Sequence, residues 1–551
     1  MFSKQGMFNK ETLPGDIFGG LTAAIVALPL ALAFGVQSGM GAIAGLYGAI
    51  ALGIFAALLG GTKTQISGPT GPMVVVSALV VSTEIARYGS LEDAFGAIIA
   101  TFILAGIFQI LMGIMGIGKY IRYMPYPVVS GFMSGIGLII IVLQIFPFFG
   151  LKSPSDIIEI VTSMKDIAGN VNIEAVFLSI ATIAIIYIFP KITKKVPSSL
   201  VALIGLTIVA TFMNLDVPII GDIPKGFPDI HIDTLLSMKW DNPINMIVPA
   251  LTLAALASID SLLTSVVADN KTKTKHKPNK ELIGQGVGNV AAGLIGGLPG
   301  AGATMRTVVN IDAGGRTQLS GIIHGLTLFA ILLGAGTYAK LIPIPVLAGI
   351  LITVGIGIID YKGLKDIKHI PRSEAVIMLV VLVMTTFIDL LQAVAVGVIM
   401  ASILFMKSMS DVAETKTKAG VIDENGELIC IKDEEDLVKS EVYIQSFNGP
   451  IFFGFASHFS EIIANLPKVE MVVFRMEEVT YIDQSGLYAI EDAVLALESR
   501  GIEVFLIGIP KQVENILRNI KLIPDLVEEE CIFDDFTNFK NFLDNKFNTE
   551  K

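Results

Sequence analysis

Asp260 stands inside the apolar run "ALASIDSLLTSVVADN", an ionisable side chain in a segment hydrophobic enough to cross a bilayer. A carboxylate at that depth is costly and marks a functional position by default. Thr264 follows one helical turn later on the same face. A carboxylate, a hydroxyl and the carbonyls of an unwound neighbour are the oxygen ligands a hard cation prefers, so the pair predicts a sodium position. Two other roles fit Asp260: a proton carrier, or a structural acid bonded to backbone amides or to Arg306. Arg306 itself has three readings: it enriches an anion site, pairs with an acid, or reaches the cytoplasmic face. Ser261 and Ser265 are expected to be ordinary helix–helix contacts.

Two breaks in the apolar pattern supply the neighbour. Residues 60–73 read "GGTKTQISGPTGPM" and residues 294–310 read "LIGGLPGAGATMRTVVN", each following a span of small residues. Exposed backbone cannot sit in lipid, so both segments must line a cavity enclosed by protein. A helix restarting at Thr70 or at Thr304 aims free N–H groups and its positive dipole end into that cavity. Two such ends facing one another make an anion site without a buried lysine. Gly68, Gly71, Gly302 and Ala303 are small enough to let an ion approach the backbone. Close helix packing would also explain the glycines, but interruptions at matching places in two halves are the sequence mark of a transporter site.

The elements that must position these residues follow from composition. The chain has 551 residues, 53% hydrophobic and 16% charged, with mean hydropathy +0.70; soluble domains carry about a quarter charged residues. Apolar segments fall at 17–36, 42–60, 70–86, 94–116, 127–149, 174–190 and 198–214, then at 244–269, 281–298, 304–313, 318–338, 343–360, 374–389 and 391–408. About fourteen spans result, seven per half, so the halves are expected to be inverted in the membrane. "LTAAIVAL" and "LTLAALAS" echo each other at the start of the two halves.

Lysine and arginine set the orientation. Lys119 and Arg122, Lys191, Lys194 and Lys195, the run Lys271, Lys273, Lys275, Lys277 and Lys280, and Lys362, Lys365, Lys368 and Arg372 fall in alternate loops. The opposite loops are poor in them: 214–243 has Lys225 and Lys239 against five aspartates. Both termini are therefore expected in the cytoplasm, in a multi-pass protein of the cell (inner or plasma) membrane whose first partner is the lipid bilayer.

Past residue 409 the chain reads as soluble. "EVYIQSFNGPIFFG" predicts two short strands, "SHFSEIIANL" a helix, "VEMVVFRM" a strand, "QSGLYAIEDAVLALESRG" an amphipathic helix and "IEVFLIGI" a strand. Alternating strands and helices suggest a small α/β domain. The expected division is 1–408 membrane domain, 409–436 linker and 437–551 cytoplasmic domain.

Other functions fit poorly. The net charge of −11 gathers in the soluble part, and no basic aromatic patch suggests nucleic acid. There is no G-x-x-x-x-G-K-[ST] loop and no His/Cys cluster, so neither an enzyme nor a cofactor is expected, sodium aside. Of five histidines only His324 lies in a predicted span, as a packed residue rather than a ligand. Cys430 and Cys531 do not suggest a disulfide framework. The polar N-terminal stretch is not read as a signal peptide. A channel would want a continuous polar path rather than one central acid, and a pure sensor would not need two broken spans.

"QISGPTGPM", "ASIDSLLTSVVADN" and "GLPGAGATMRTVVNIDAGGRTQLSG" resemble the sulfate permease (SulP) family of anion transporters, most closely its bicarbonate-transporting branch, over nearly the whole chain. The soluble part resembles a STAS domain, whose signature is "YIDQSGLYAI" with Asp483, Ser485 and Gly486 at the loop before a helix. The resemblance implies two inverted seven-span repeats forming core and gate, and a homodimer to which the STAS domain contributes. It implies bicarbonate at Thr70 and Ala303, beside Thr304, and sodium held by Asp260, Thr264, Gly302 and Thr304. Ser485 matches a phosphorylated serine of related soluble proteins, although a helix N-cap role is the stronger expectation. The function expected is sodium-dependent bicarbonate uptake by an elevator-like movement. Proton-coupled sulfate or dicarboxylate transport, anion exchange and an anion channel are the alternatives.

Overall fold

The computed structural model describes residues 11–549 apart from 155–156, 168, 194–195, 221–227, 238–243, 389, 417, 423–427, 431–441 and 467–468. Lys194, Lys195, Lys225 and Lys239, used above for orientation, lie outside the described residues. The chain divides into two compact units, Met1–Ile399 and Met400–Lys551.

A helix lies over each of the fourteen apolar segments. They are α1 (Leu13–Gln37), α2 (Ala42–Leu59), α3 (Gly71–Tyr88), α4 (Leu91–Ile114), α5 (Tyr126–Leu143), α6 (Ile173–Ile192) and α7 (Ser198–Phe212). The second set is α8 (Ile244–Thr272), α9 (Pro278–Leu294), α10 (Thr304–Asp312), α11 (Gln318–Ala339), α12 (Ile344–Ile358), α13 (Arg372–Phe387) and α14 (Leu390–Lys416). Among the described residues, seven helices have the length and apolarity to cross a membrane alone. Local signals start them: proline occupies the first turn of α3, α5, α9 and α12, where its missing N–H costs nothing. Ser90 caps α4 by accepting from Asp93 N.

The helices pack in two groups. In the first, α9 lies against α4 and α2, α11 against α2 and α1, α8 against α4, and α10 against α1 and α8. In the second, α13 packs on α5, and α12 on α5 and α6. Each group has a glycine–glycine contact of the kind that lets helices approach closely in lipid. A Cβ on Gly106 of α4 would stand 2.7 Å from the Gly286 carbonyl oxygen of α9, and one on Gly137 of α5 would stand 2.6 Å from that of Gly355 in α12. The groups meet where α1 packs on α12 and α7 and where α3 packs on α5; there Gly71, at the start of α3, faces Ile136 and Ile140 of α5 and Ile358 of α12.

The second unit is built on a sheet. Its strands are β3 (Lys418–Ile422), β4 (Leu428–Cys430), β5 (Val442–Asn448), β6 (Met471–Glu478), β7 (Glu503–Ile507) and β8 (Ile532–Phe533), in the order β4-β3-β5-β6-β7-β8. The pairs from β5 to β8 are parallel, so helices must carry the chain between them: α15 (Phe453–Ala464), α16 (Gln484–Glu498) and α17 (Lys511–Asn519). One sheet face buries Phe447, Phe459 and Phe474 in mutual edge contacts, and the other buries Phe505 and Phe539. Of the stretch 409–436, the described part is the end of α14 together with β3 and β4.

Two local expectations are corrected here. "PIFFG" forms no second strand: only Ile451 pairs, in a single bridge with Ile482, and α15 begins at Phe453, whose N–H donates to Asp483 Oδ2 at 3.2 Å. Ser485 is not the N-cap of α16. Asp483 is, accepting from Gly486 N through Oδ1 at 2.8 Å, which leaves Ser485 exposed in the first turn. Because one carboxylate anchors two helix starts, Asp483→Ala should cost about 1 kcal/mol. Amide exchange at Phe453 and Gly486 in the intact protein should rise about fivefold, by the 1.4 kcal/mol per decade conversion.

Candidate functional site

The two broken segments cross. Before α3 the chain makes the two-residue strand β1 (Ser67–Gly68), and before α10 the strand β2 (Ala301–Gly302). They pair antiparallel, Ser67 opposite Gly302 and Gly68 opposite Ala301. Ala303 N donates to Ile66 O at 2.8 Å. The interrupted backbone thus satisfies itself where no water or lipid would. Thr70 is the N-cap residue of α3 and Ala303 that of α10, both in extended conformation and neither helix capped by a side chain. Both positions are buried, so two uncapped helix starts are held together at one crossing.

Helix α8 lies against the crossing. Ser261 Oγ accepts from Gly302 N at 3.0 Å, and Thr264 Oγ1 donates to Gly302 O at 2.9 Å. Thr264 Oγ1 also lies 2.7 Å from Thr304 Oγ1. Its single proton goes to the carbonyl, so Thr304 donates to Thr264. Three of the four residues assigned to sodium are in this way gathered within hydrogen-bond distance. The fourth, Asp260, stands one turn away on α8, beside Thr70 and within electrostatic range of Arg306. Its Oδ2 and the Thr70 Oγ1 are both buried; the Asp260 and Thr70 side chains are close enough to interact, yet neither of these two atoms reaches hydrogen-bond geometry with any group.

Arg306 is buried, which removes the reading in which it reaches the cytoplasmic face. Its Nη2 donates to the Pro69 carbonyl, while Nη1 makes no hydrogen bond. Gly68 makes room for it: a Cβ there would stand 2.6 Å from Nη1. His324 is fully buried against Gly53, as a packed residue. Ser261 and Ser265 are more than helix–helix contacts, because both bond the interrupted segments, Ser265 through Thr62 Oγ1 at 2.7 Å and Gln65 Oε1 at 3.0 Å.

Several residues around the breaks escaped the sequence reading. Thr307 Oγ1 accepts from Ile66 N and Asn310 Nδ2 donates to Thr64 O, so α10 grips the backbone of the first break. Glu281, Gln285 and Asn289 of α9 bond to both breaks. The signal for them was present: "ELIGQGVGNV" repeats a polar residue every fourth position in an apolar span. Among the described residues no cluster of three His, Cys, Asp or Glu could hold a metal.

Residues 13–381 match the sequence model of the Sulfate permease family. The chain belongs to that family. Residues 435–535 match the STAS domain, so this family member carries a STAS domain on the C-terminal side of a multi-pass membrane domain. The bicarbonate transporter BicA of Picosynechococcus sp. is 40% identical over 531 residues, covering 95% of this chain and 93% of that one. The solved transmembrane domain of a cyanobacterial BicA aligns at TM-score 0.64 with 44% identity, covering 70% of this chain and 98% of that one. The structure of SLC26A9 aligns at TM-score 0.80, with 98% of this chain and 91% of that one covered. At 20% identity that likeness concerns the fold.

Proposed function

We propose that this protein is an anion transporter that takes up bicarbonate together with sodium. The observation that carries the proposal is the crossing: two uncapped helix starts at Thr70 and Ala303, and beside them the oxygens of Thr264, Gly302 and Thr304 next to an Asp260 carboxylate oxygen without a partner. Sodium among these oxygens offsets Asp260, and the local charge then allows an anion at the helix starts. The anion lies against Thr70, Ala303 and Thr304, with Arg306 adding positive potential from behind Gly68. Each ion improves the site for the other, which is what coupling requires.

The movement proposed is elevator-like. The first helix group, α1–α4 with α8–α11, carries the whole site; the second group holds none of its residues. At Gly71 the side chains facing it across the boundary are isoleucines, and apolar contacts of this kind lack the fixed geometry of hydrogen bonds, which suits one group sliding on the other. Antiparallel pairing of β1 with β2 supports two inverted seven-span repeats, since an axis in the membrane plane relates such strands. In this reading both termini are cytoplasmic, the protein works in the cell membrane as a homodimer, and Ser485, exposed on the STAS domain, is a candidate phosphorylation site.

The test is uptake of labelled bicarbonate, with sulfate and fumarate in parallel, into proteoliposomes under sodium, proton or no gradient. Bicarbonate entry that requires inward sodium is the expected result. Entry of sulfate or fumarate driven by protons would keep the site and replace both substrate and coupling ion.

A further inference from the structure

Glu281, Gln285 and Asn289 follow one another at four-residue steps on one face of α9, and all three are buried. Glu281 Oε2 accepts from Gly61 N and Thr62 N, both at 2.7 Å, and Oε1 accepts from Gln65 Nε2 and Gln285 Nε2, both at 2.8 Å. A carboxyl group that only accepts is ionised, and four donors meet its buried charge. Gln285 Nε2 also reaches Ser67 Oγ, in β1, at 2.6 Å. Asn289 brackets Gly300, its Oδ1 accepting from Gly300 N at 2.8 Å and its Nδ2 donating to Gly300 O at 3.1 Å. The near end of the row thus holds the first break, its middle holds β1, and its far end holds the second break. Gln65, tied to Glu281, accepts from Ser265 Oγ at 3.0 Å, next in sequence to the Thr264 that bonds Gly302 and Thr304.

We propose that this face of α9 is a positioning rail: Glu281, Gln285 and Asn289 set the two interrupted segments against each other, and so fix ion affinity without touching either ion. Loosening one end of the rail loosens both breaks, because β1 and β2 are paired. A small misplacement of binding groups far from the ligand is enough to weaken a site by orders of magnitude. The affinity part rests on the transport reading above; the coupling between the breaks does not.

Asn289→Ala and the isosteric Glu281→Gln test it in the purified full-length protein. Hydrogen exchange in Asn289→Ala should rise about tenfold at Gly300–Gly302 and also at Ser67 and Gly68 across the pairing, and Glu281→Gln should loosen 300–302 as well as 61–68. A rise confined to the break nearest the substitution overturns the rail. In proteoliposomes both variants should raise KM for anion and sodium about tenfold while kcat stays within about twofold. An unchanged KM with only less folded protein means a merely structural role and also overturns it. If the wild type moves no anion, the transport reading has failed, and the exchange result alone decides the rail.

Discussion

Asp260→Asn is expected to leave the protein folded and to abolish sodium-driven uptake. The fold should tolerate it because Oδ2 has no hydrogen bond to lose and asparagine keeps the shape. The site should not, because Asp260 supplies the one negative charge beside the neutral oxygens of Thr264, Gly302 and Thr304. Removing one partner of a buried charge pair costs about 3–5 kcal/mol. At 1.4 kcal/mol per decade that is roughly a hundredfold or more in sodium affinity. With the carboxylate gone, Arg306 also loses the acid within its electrostatic range, so anion binding should become sodium-independent rather than vanish. The measurements are uptake against sodium concentration and a direct anion-binding titration, on wild type and variant. Full sodium-driven uptake by Asp260→Asn would remove the sodium assignment altogether.

That Asp260 could be singled out from sequence at all reflects how strongly a bilayer constrains composition. A charge in an apolar run is conspicuous, and so are glycine and proline where a helix should continue, so the apolar segments and both breaks could be placed. The polar face of α9 was harder to see. Its glutamate, glutamine and asparagine are diluted by glycine, alanine and valine, and their meaning depends on which backbone lies opposite. No local pattern reveals that Gly61 and Gly300 are both within reach of one helix. The pairing of β1 with β2 was hidden for the same reason: two-residue strands carry no periodicity, and their register comes from the whole packed group. In the STAS domain the error at Ser485 was one of cap chemistry. Asp483, two residues earlier, is as good a cap, and only the position of Phe453, which needs the second carboxylate oxygen, decides between them.

Gly300→Ala is expected to disrupt the crossing by adding a single carbon atom. A Cβ at Gly300 would stand 2.2 Å from Gly68 O, 2.3 Å from Gly68 C and 2.6 Å from Pro69 N. All three are backbone atoms of the other break, so no side-chain rotation relieves the overlap. The strands must separate, which ends the pairing of Gly68 with Ala301 and pulls Gly300 away from Asn289. Overpacking of a filled interior costs about 1–3 kcal/mol before any hydrogen bond is lost, and here the displaced segments are the helix starts themselves. Uptake should therefore fall to background, and the melting temperature of the purified protein should drop. Amide exchange across β5–β7 should stay unchanged, because the STAS sheet belongs to a separate unit. Gly334→Ala serves as the control, since a Cβ there meets nothing within 4 Å and alanine favours the helix. Normal uptake by Gly300→Ala would mean that the crossing does not position the ions, and the site would have to be sought elsewhere.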